Sequence, residues 1–119
     1  MATPLGRTFG DEDRALVTLP ATRWRLRAGN CLVYASLFRR ELFERVGGYR
    51  PHLAGYEDWD LWLKMASRGL RGVRVREPLF VWRRHSHTTM VMEAVKRHES
   101  LYRRLIENHR ELFARHAME

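Results

Sequence analysis

The residues best suited to chemistry lie together in Glu57-Asp58-Trp59-Asp60-Leu61-Trp62. Advanced by about 100° per residue, as a helix requires, Glu57, Asp60, Lys64, Ser67 and Arg68 gather on one polar arc. Trp59, Leu61, Trp62, Leu63, Met65, Ala66 and Leu70 fill the rest of the circumference. Asp58 does not join the arc; it falls among Leu61, Trp62 and Met65. A carboxylate on an apolar face costs free energy unless it is paired or hydrogen-bonded. Two readings meet that need. Asp58 caps its own helix through the free backbone N–H groups of the first turn, or it is a general base at the edge of a cleft, partly desolvated and aimed at a hydroxyl. Tyr56, Trp59 and Trp62 beside it are flat aromatic surfaces of the kind that stack on sugar rings, although Trp62 at helical spacing reads as core.

Two other clusters could hold a metal. His85-Ser86-His87 puts both imidazoles on one face of an extended segment, but no third ligand accompanies them. Asp11-Glu12-Asp13 follows Gly-Arg-Thr-Phe-Gly rather than an apolar run, and reads as a solvated acidic loop.

The elements that must carry these residues define an α/β chain. Residues 1–20, punctuated by Pro4, Gly6, Gly10 and Pro20, read as irregular. Cys31 to Phe38 is an apolar run that predicts a buried strand. Arg40 to Val46 predicts a short helix stopped by Gly47-Gly48, and Tyr49 to Gly55 a loop around Pro51. Glu57 to Arg68 predicts a helix closed by Gly69, with carboxylates in its first turn where the dipole favours them. Arg71 to Arg76 and Leu79 to Arg84 predict two strands separated by Pro78. Residues 90–117 predict one long amphipathic helix with a stripe of Val91, Val95, Tyr102, Leu105, Leu112 and Phe113. His98 and His109 lie on or near that stripe and read as packed, hydrogen-bonded residues rather than ligands.

At 119 residues the chain suits one domain, 1–119, and its 45% hydrophobic and 30% charged content is that of a globular protein. The single cysteine, Cys31, excludes an intrachain disulfide framework. No apolar run approaches the roughly 18 residues of a transmembrane segment, and the first residues lack a secretion-signal core. The expected location is cytoplasmic, free or peripheral to a membrane. The net charge of +8 comes from twenty arginines and two lysines against fourteen acids. It suits a basic nucleic-acid or protein binding module without catalysis. However, the arginines are scattered, no reader motif is present, and Glu57-Asp58-Trp59-Asp60 would repel phosphates, so a nucleic-acid partner is disfavoured.

The order Asn30-Cys-Leu-Val-Tyr-Ala-Ser-Leu-Phe, Gly47-Gly48-Tyr49-Arg50-Pro51, Gly55-Tyr-Glu57-Asp58-Trp-Asp60-Leu-Trp62 and Pro78-Leu-Phe-Val-Trp-Arg83-Arg-His85 resembles the second, acceptor-side half of a family 2 glycosyltransferase of GT-A fold. The resemblance covers about Asn30 to His85. It implies a partial GT-A-like fold and a nucleotide-sugar-dependent transferase. Asp58 would take the proton from the acceptor hydroxyl and Glu57 would position the acceptor. Arg50, Tyr56 and Trp59 would lie near the acceptor, and His85 would reach a divalent metal, Mn or Mg, or the diphosphate. The partners implied are a nucleotide-sugar donor and a hydroxyl acceptor. No alternating βαβ pattern precedes Asn30, so the chain reads as a fragment that transfers no sugar alone. A half-domain of that kind is expected to form a homo-oligomer through a sheet edge or the terminal helix.

Overall fold

The computed structural model describes residues 1–19, 22–69, 71–84 and 90–117. The fold is mixed α/β, a small three-stranded sheet beside a helical body, consistent with a partial GT-A-like arrangement. Strands β1 (Ala2–Gly10), β2 (Ala15–Leu16) and β3 (Val73–Arg84) lie in the order β2-β1-β3. Helices α1 (Arg23–Ala28), α2 (Arg40–Arg45) and α3 (Glu57–Ser67), with a 3-10 turn at Pro51–Leu53, connect β2 to β3. Helices α4 (Met90–Lys96), α5 (His98–Asn108) and α6 (Arg110–Ala117) follow β3.

The first ten residues are a strand, not the irregular segment their prolines and glycines predict. β1 is the central strand, antiparallel to β2 and parallel to β3. Gly6 serves the pairing rather than a turn: a Cβ there would lie 2.9 Å from the carbonyl oxygen of Phe80. The register slips between Pro4 and Leu5 and again between Leu5 and Gly6. Proline has no N–H to donate, and the ladder absorbs Pro4 and Pro78 in this irregular stretch. β3 therefore runs through Pro78 as one strand instead of two. Conversely, Cys31 to Phe38 is not a strand; only Leu37 bridges back, to Ala2. Local side-chain bonds compete with a ladder there. Ser36 Oγ donates to the Val33 carbonyl at 2.7 Å, and Asn30 Oδ1 accepts from the Leu32 N–H at 3.4 Å.

The predicted helices over Arg40–Val46 and Glu57–Arg68 are present within a residue of those bounds, with glycines at positive φ after each. Helix α1 was not anticipated. Thr22 caps it, accepting from the Arg25 N–H at 3.2 Å. Helix α3 is the centre of the molecule. All residues from Trp59 to Ala66 are buried, so Asp60 and Lys64 of its polar arc do not face water, whereas Ser67 and Arg68 are exposed. Leu26, Leu53, Leu101 and Leu105 pack with Leu61, Trp62, Leu63 and Met65 in a helix-built core. Each such side chain contributes about 1.5–3 kcal/mol.

The long C-terminal helix is broken at Arg97 and His109, which take non-helical conformations. Its buried face runs through Ala94, Leu101, Leu105 and Leu112, whereas Val95 is exposed. The break at His109 has a tertiary cause, since its Nε2 lies 2.7 Å from Asp60 Oδ1 in the core. Nothing in the local sequence explains the break at Arg97.

Several arginines act as staples. Arg23 Nε donates to the Ala66 carbonyl, Arg27 to Leu112, Arg74 to Thr18 and Arg104 to His52. A share of the positive charge is thereby spent inside the fold.

Candidate active site

The first turn of α3 sits at the lip of a cleft of about 1000 Å³. One wall is Leu16–Leu19, which runs beside residues 28–34 and is tied there by the Leu19 N–H to the Cys31 carbonyl at 3.1 Å. Gly55–Trp59 supply the other wall, and Trp82 of β3 completes the lining.

Asp58 is half-buried and lines this cleft. Its Oδ2 accepts from Asn30 Nδ2 at 3.1 Å and its Oδ1 from the Trp59 backbone N–H at 2.8 Å. The carboxylate therefore satisfies one N–H of the first turn of α3 while lining the cleft, although the N-cap residue itself is Tyr56 and makes no side-chain cap bond. Burial pushes the Asp58 carboxyl above its usual range, opposed by the bonds from Trp59 and Asn30 and aided by the negative charge of Glu57. Such a group is a stronger base than a solvated aspartate.

Glu57 turns back to accept from the Gly55 N–H at 2.5 Å. Gly55 is needed at this corner. Its φ is +102°, and a Cβ would lie 2.7 Å from Cβ of Ala94 on α4. Tyr56 lines the cleft and bonds through its hydroxyl to Nδ1 of His98. Trp59 also lines it but is buried. Its ring packs against Tyr56 and Tyr102 at centroid distances of 5.4 and 5.6 Å, and its Nε1 donates to the Leu26 carbonyl at 2.6 Å. Trp62 is fully buried, as its spacing suggested.

Arg50 is not brought to the cleft. Its Nε lies 3.5 Å from Oδ2 of the fully buried Asp60, which is also 3.9 Å from Lys64 Nζ. Lys64 in turn donates to the Gly48 carbonyl, holding the Gly47-Gly48 turn against α3. Burial pulls the Lys64 ammonium below the usual lysine range, partly offset by Asp60. His109 is buried and hydrogen-bonded, as expected of it, whereas His98 is hydrogen-bonded to Tyr56 and stacked on Tyr102 but exposed rather than part of the core.

His85 and His87 lie outside the described residues. Among the described residues no group of three or more His, Cys, Asp and Glu side chains is placed to hold a metal ion. Strand β1 does precede Asp11-Glu12-Asp13, where the sequence predicted no strand. The cluster is nonetheless an acidic loop engaged by arginines: Asp13 pairs with Arg7, and Glu12 with Arg14 and Arg84. No described helix is long and apolar enough to cross a membrane.

Asn30 is the site residue that sequence reasoning missed. It stands 28 positions before Asp58 and nothing local marks it as a partner.

The site is thus a half-buried carboxylate at the mouth of a cleft in an α/β domain. Residues 9–97 match a family model described as the N-terminal domain of galactosyltransferase. The match spans well over half of the chain, and the chain belongs to this family, a glycosyltransferase domain. It supports the glycosyltransferase class; membership of family 2 and assignment to a C-terminal half are not part of it. No curated protein and no solved structure matches the chain.

Proposed function

We propose that this domain binds the hydroxyl-bearing acceptor of a nucleotide-sugar-dependent glycosyltransferase and supplies Asp58 as the base, in the manner of the acceptor side of a family 2-like GT-A enzyme. The observation that carries this reading is the position of Asp58, half-buried on the cleft and oriented by Asn30. The Asp58 carboxylate takes the proton from the acceptor hydroxyl. The acceptor oxygen then forms a bond to the anomeric carbon as the bond to the diphosphate breaks, and the nucleoside diphosphate leaves with the electron pair. Base assistance of this kind is worth on the order of 10²- to 10⁴-fold. Glu57 and Tyr56 position the acceptor. Trp59 forms the floor beneath Tyr56, and Arg50 acts through Asp60 on the loop before α3. The matched family points to a nucleotide-activated galactose as the first donor to test.

No step is routed through the Mn or Mg ion that the resemblance implies, because the described residues offer no set of ligands for it. The isolated chain is proposed to bind acceptor without turning over donor, since no alternating βαβ pattern of a donor-binding half accompanies the acceptor residues. Measurable turnover of any nucleotide sugar by the purified chain would refute that part. The exposed apolar residues Phe9, Leu79 and Val81 on the sheet support the expected homo-oligomer. A concentration-independent monomer in sedimentation would contradict it.

The test of the main reading is saccharide binding by saturation-transfer NMR on the wild type and on Asp58→Ala. Wild type is expected to bind, and loss of a charge-assisted hydrogen bond is expected to weaken binding by about tenfold or more. Equal binding by both, or none by the wild type, refutes it.

A further inference from the structure

Two sides of the cleft differ in chemistry. The start of α3 and Asn30 present polar groups able to hold hydroxyls, whereas Leu16, Val17, Leu19, Val33, Tyr34 and Trp82 present hydrocarbon and ring surface. Three of these are left open to water in spite of that: Val17 is 68% exposed, Leu19 43% and Tyr34 62%. Single exposed apolar residues are ordinary, but a contiguous set lining one concavity marks a binding surface. The volume, about 1000 Å³, is at the top of the roughly 300–1,000 Å³ range of small-molecule sites. A bare sugar would satisfy the polar end and leave the apolar wall wet.

We propose that the acceptor is a glycoside with an apolar aglycone, its sugar held at Asn30, Glu57 and Asp58 and its aglycone laid along Leu16, Val17, Leu19 and Tyr34. This rests on the reading of the cleft as the acceptor site and adds the substrate class. Ligand and wall then match over their whole length. Hydroxyls meet hydrogen-bonding groups, and hydrocarbon covers the surface that the fold leaves open.

Cys31 gives a direct reporter. It is the only cysteine in the sequence, it lines the cleft, and it is partly exposed. The experiment follows its alkylation by a small thiol reagent in the presence of methyl, hexyl and octyl glycosides of the common hexoses. Each is kept below its micelle concentration, and a sugar-free octyl ether serves as the control. Protection of Cys31 is expected to strengthen about three- to fourfold per buried methylene. Val17→Ser, a change at an exposed position, should flatten that dependence, and Asp58→Ala should weaken all glycosides by a common factor.

Equal protection by methyl and octyl glycosides, still dependent on Asp58, overturns the apolar aglycone and leaves the acceptor site standing. Protection by the sugar-free ether equal to that by the octyl glycoside also overturns the proposal, and points to another apolar occupant such as a protein segment. No protection by any glycoside defeats the acceptor site and this inference together.

Discussion

Removing the Asp60 carboxylate should be the most damaging single polar change in this fold. Asp60 is fully buried in the first turn of α3. Its Oδ1 meets His109 Nε2 at 2.7 Å, while Oδ2 makes no hydrogen bond and faces Arg50 Nε at 3.5 Å and Lys64 Nζ at 3.9 Å. In Asp60→Ala the buried Lys64 and His109 lose their acidic neighbour together. Arg50, about a third exposed, can rehydrate and adds little. Breaking a buried pair by removing one member costs about 3–5 kcal/mol. A domain of this size has roughly 5–15 kcal/mol in total. The assay is urea unfolding followed by tryptophan fluorescence, where 3–5 kcal/mol moves the midpoint by about 2–3 M if m is near 1.5 kcal/mol/M. Asp60→Asn keeps a partner for His109 and should lose less. An Asp60→Ala domain within about 1 kcal/mol of wild type would refute the claim that this carboxylate ties α3 to the junction of α5 and α6 and, through Lys64, to the Gly47-Gly48 turn.

Other changes probe the lip of the cleft. Gly55→Ala should cost about 2 kcal/mol or more, from its positive φ and the contact with Ala94, read as a lower melting temperature. Trp59→Phe keeps a ring between Tyr56 and Tyr102 but loses the bond to the Leu26 carbonyl, and should destabilise by about 1–3 kcal/mol in denaturant titration. Asp58→Asn should stabilise the fold at neutral pH. A raised native pKa means that the folded state binds the proton more tightly than the unfolded chain, so ionisation costs stability as pH rises through the native value. The gain should disappear as pH falls below the ordinary aspartate range, and unfolding curves of both proteins across acid pH check the sign.

Much of the helical frame can be read from local signals. Gly47-Gly48 and Gly69 stop α2 and α3 where expected because their positive φ ends a helix locally. β1 escapes such a reading because Gly6 looks like a turn residue, while its purpose is to admit the Phe80 carbonyl from a strand more than seventy positions away. The run from Cys31 to Phe38 has strand composition, yet Ser36 and Asn30 give its backbone other partners. The wheel put Asp60 and Lys64 toward water. The stretch from Trp59 to Ala66 is buried on every side, and His109, 49 residues later, supplies the partner of Asp60. Asp58 was legible because a carboxylate among Leu61, Trp62 and Met65 needs a reason. Its partner Asn30 was not, because the approach of the loop after α1 to the start of α3 is a tertiary fact.

The claim on which the account rests is that Asp58 is a desolvated base facing a bound hydroxyl. Its side-chain carboxyl can be titrated by carbon-13 NMR with and without a saturating glycoside. The account predicts a midpoint above the ordinary aspartate range in the free protein, and a change in that midpoint when the glycoside binds. An ordinary midpoint, indifferent to ligand, would contradict it.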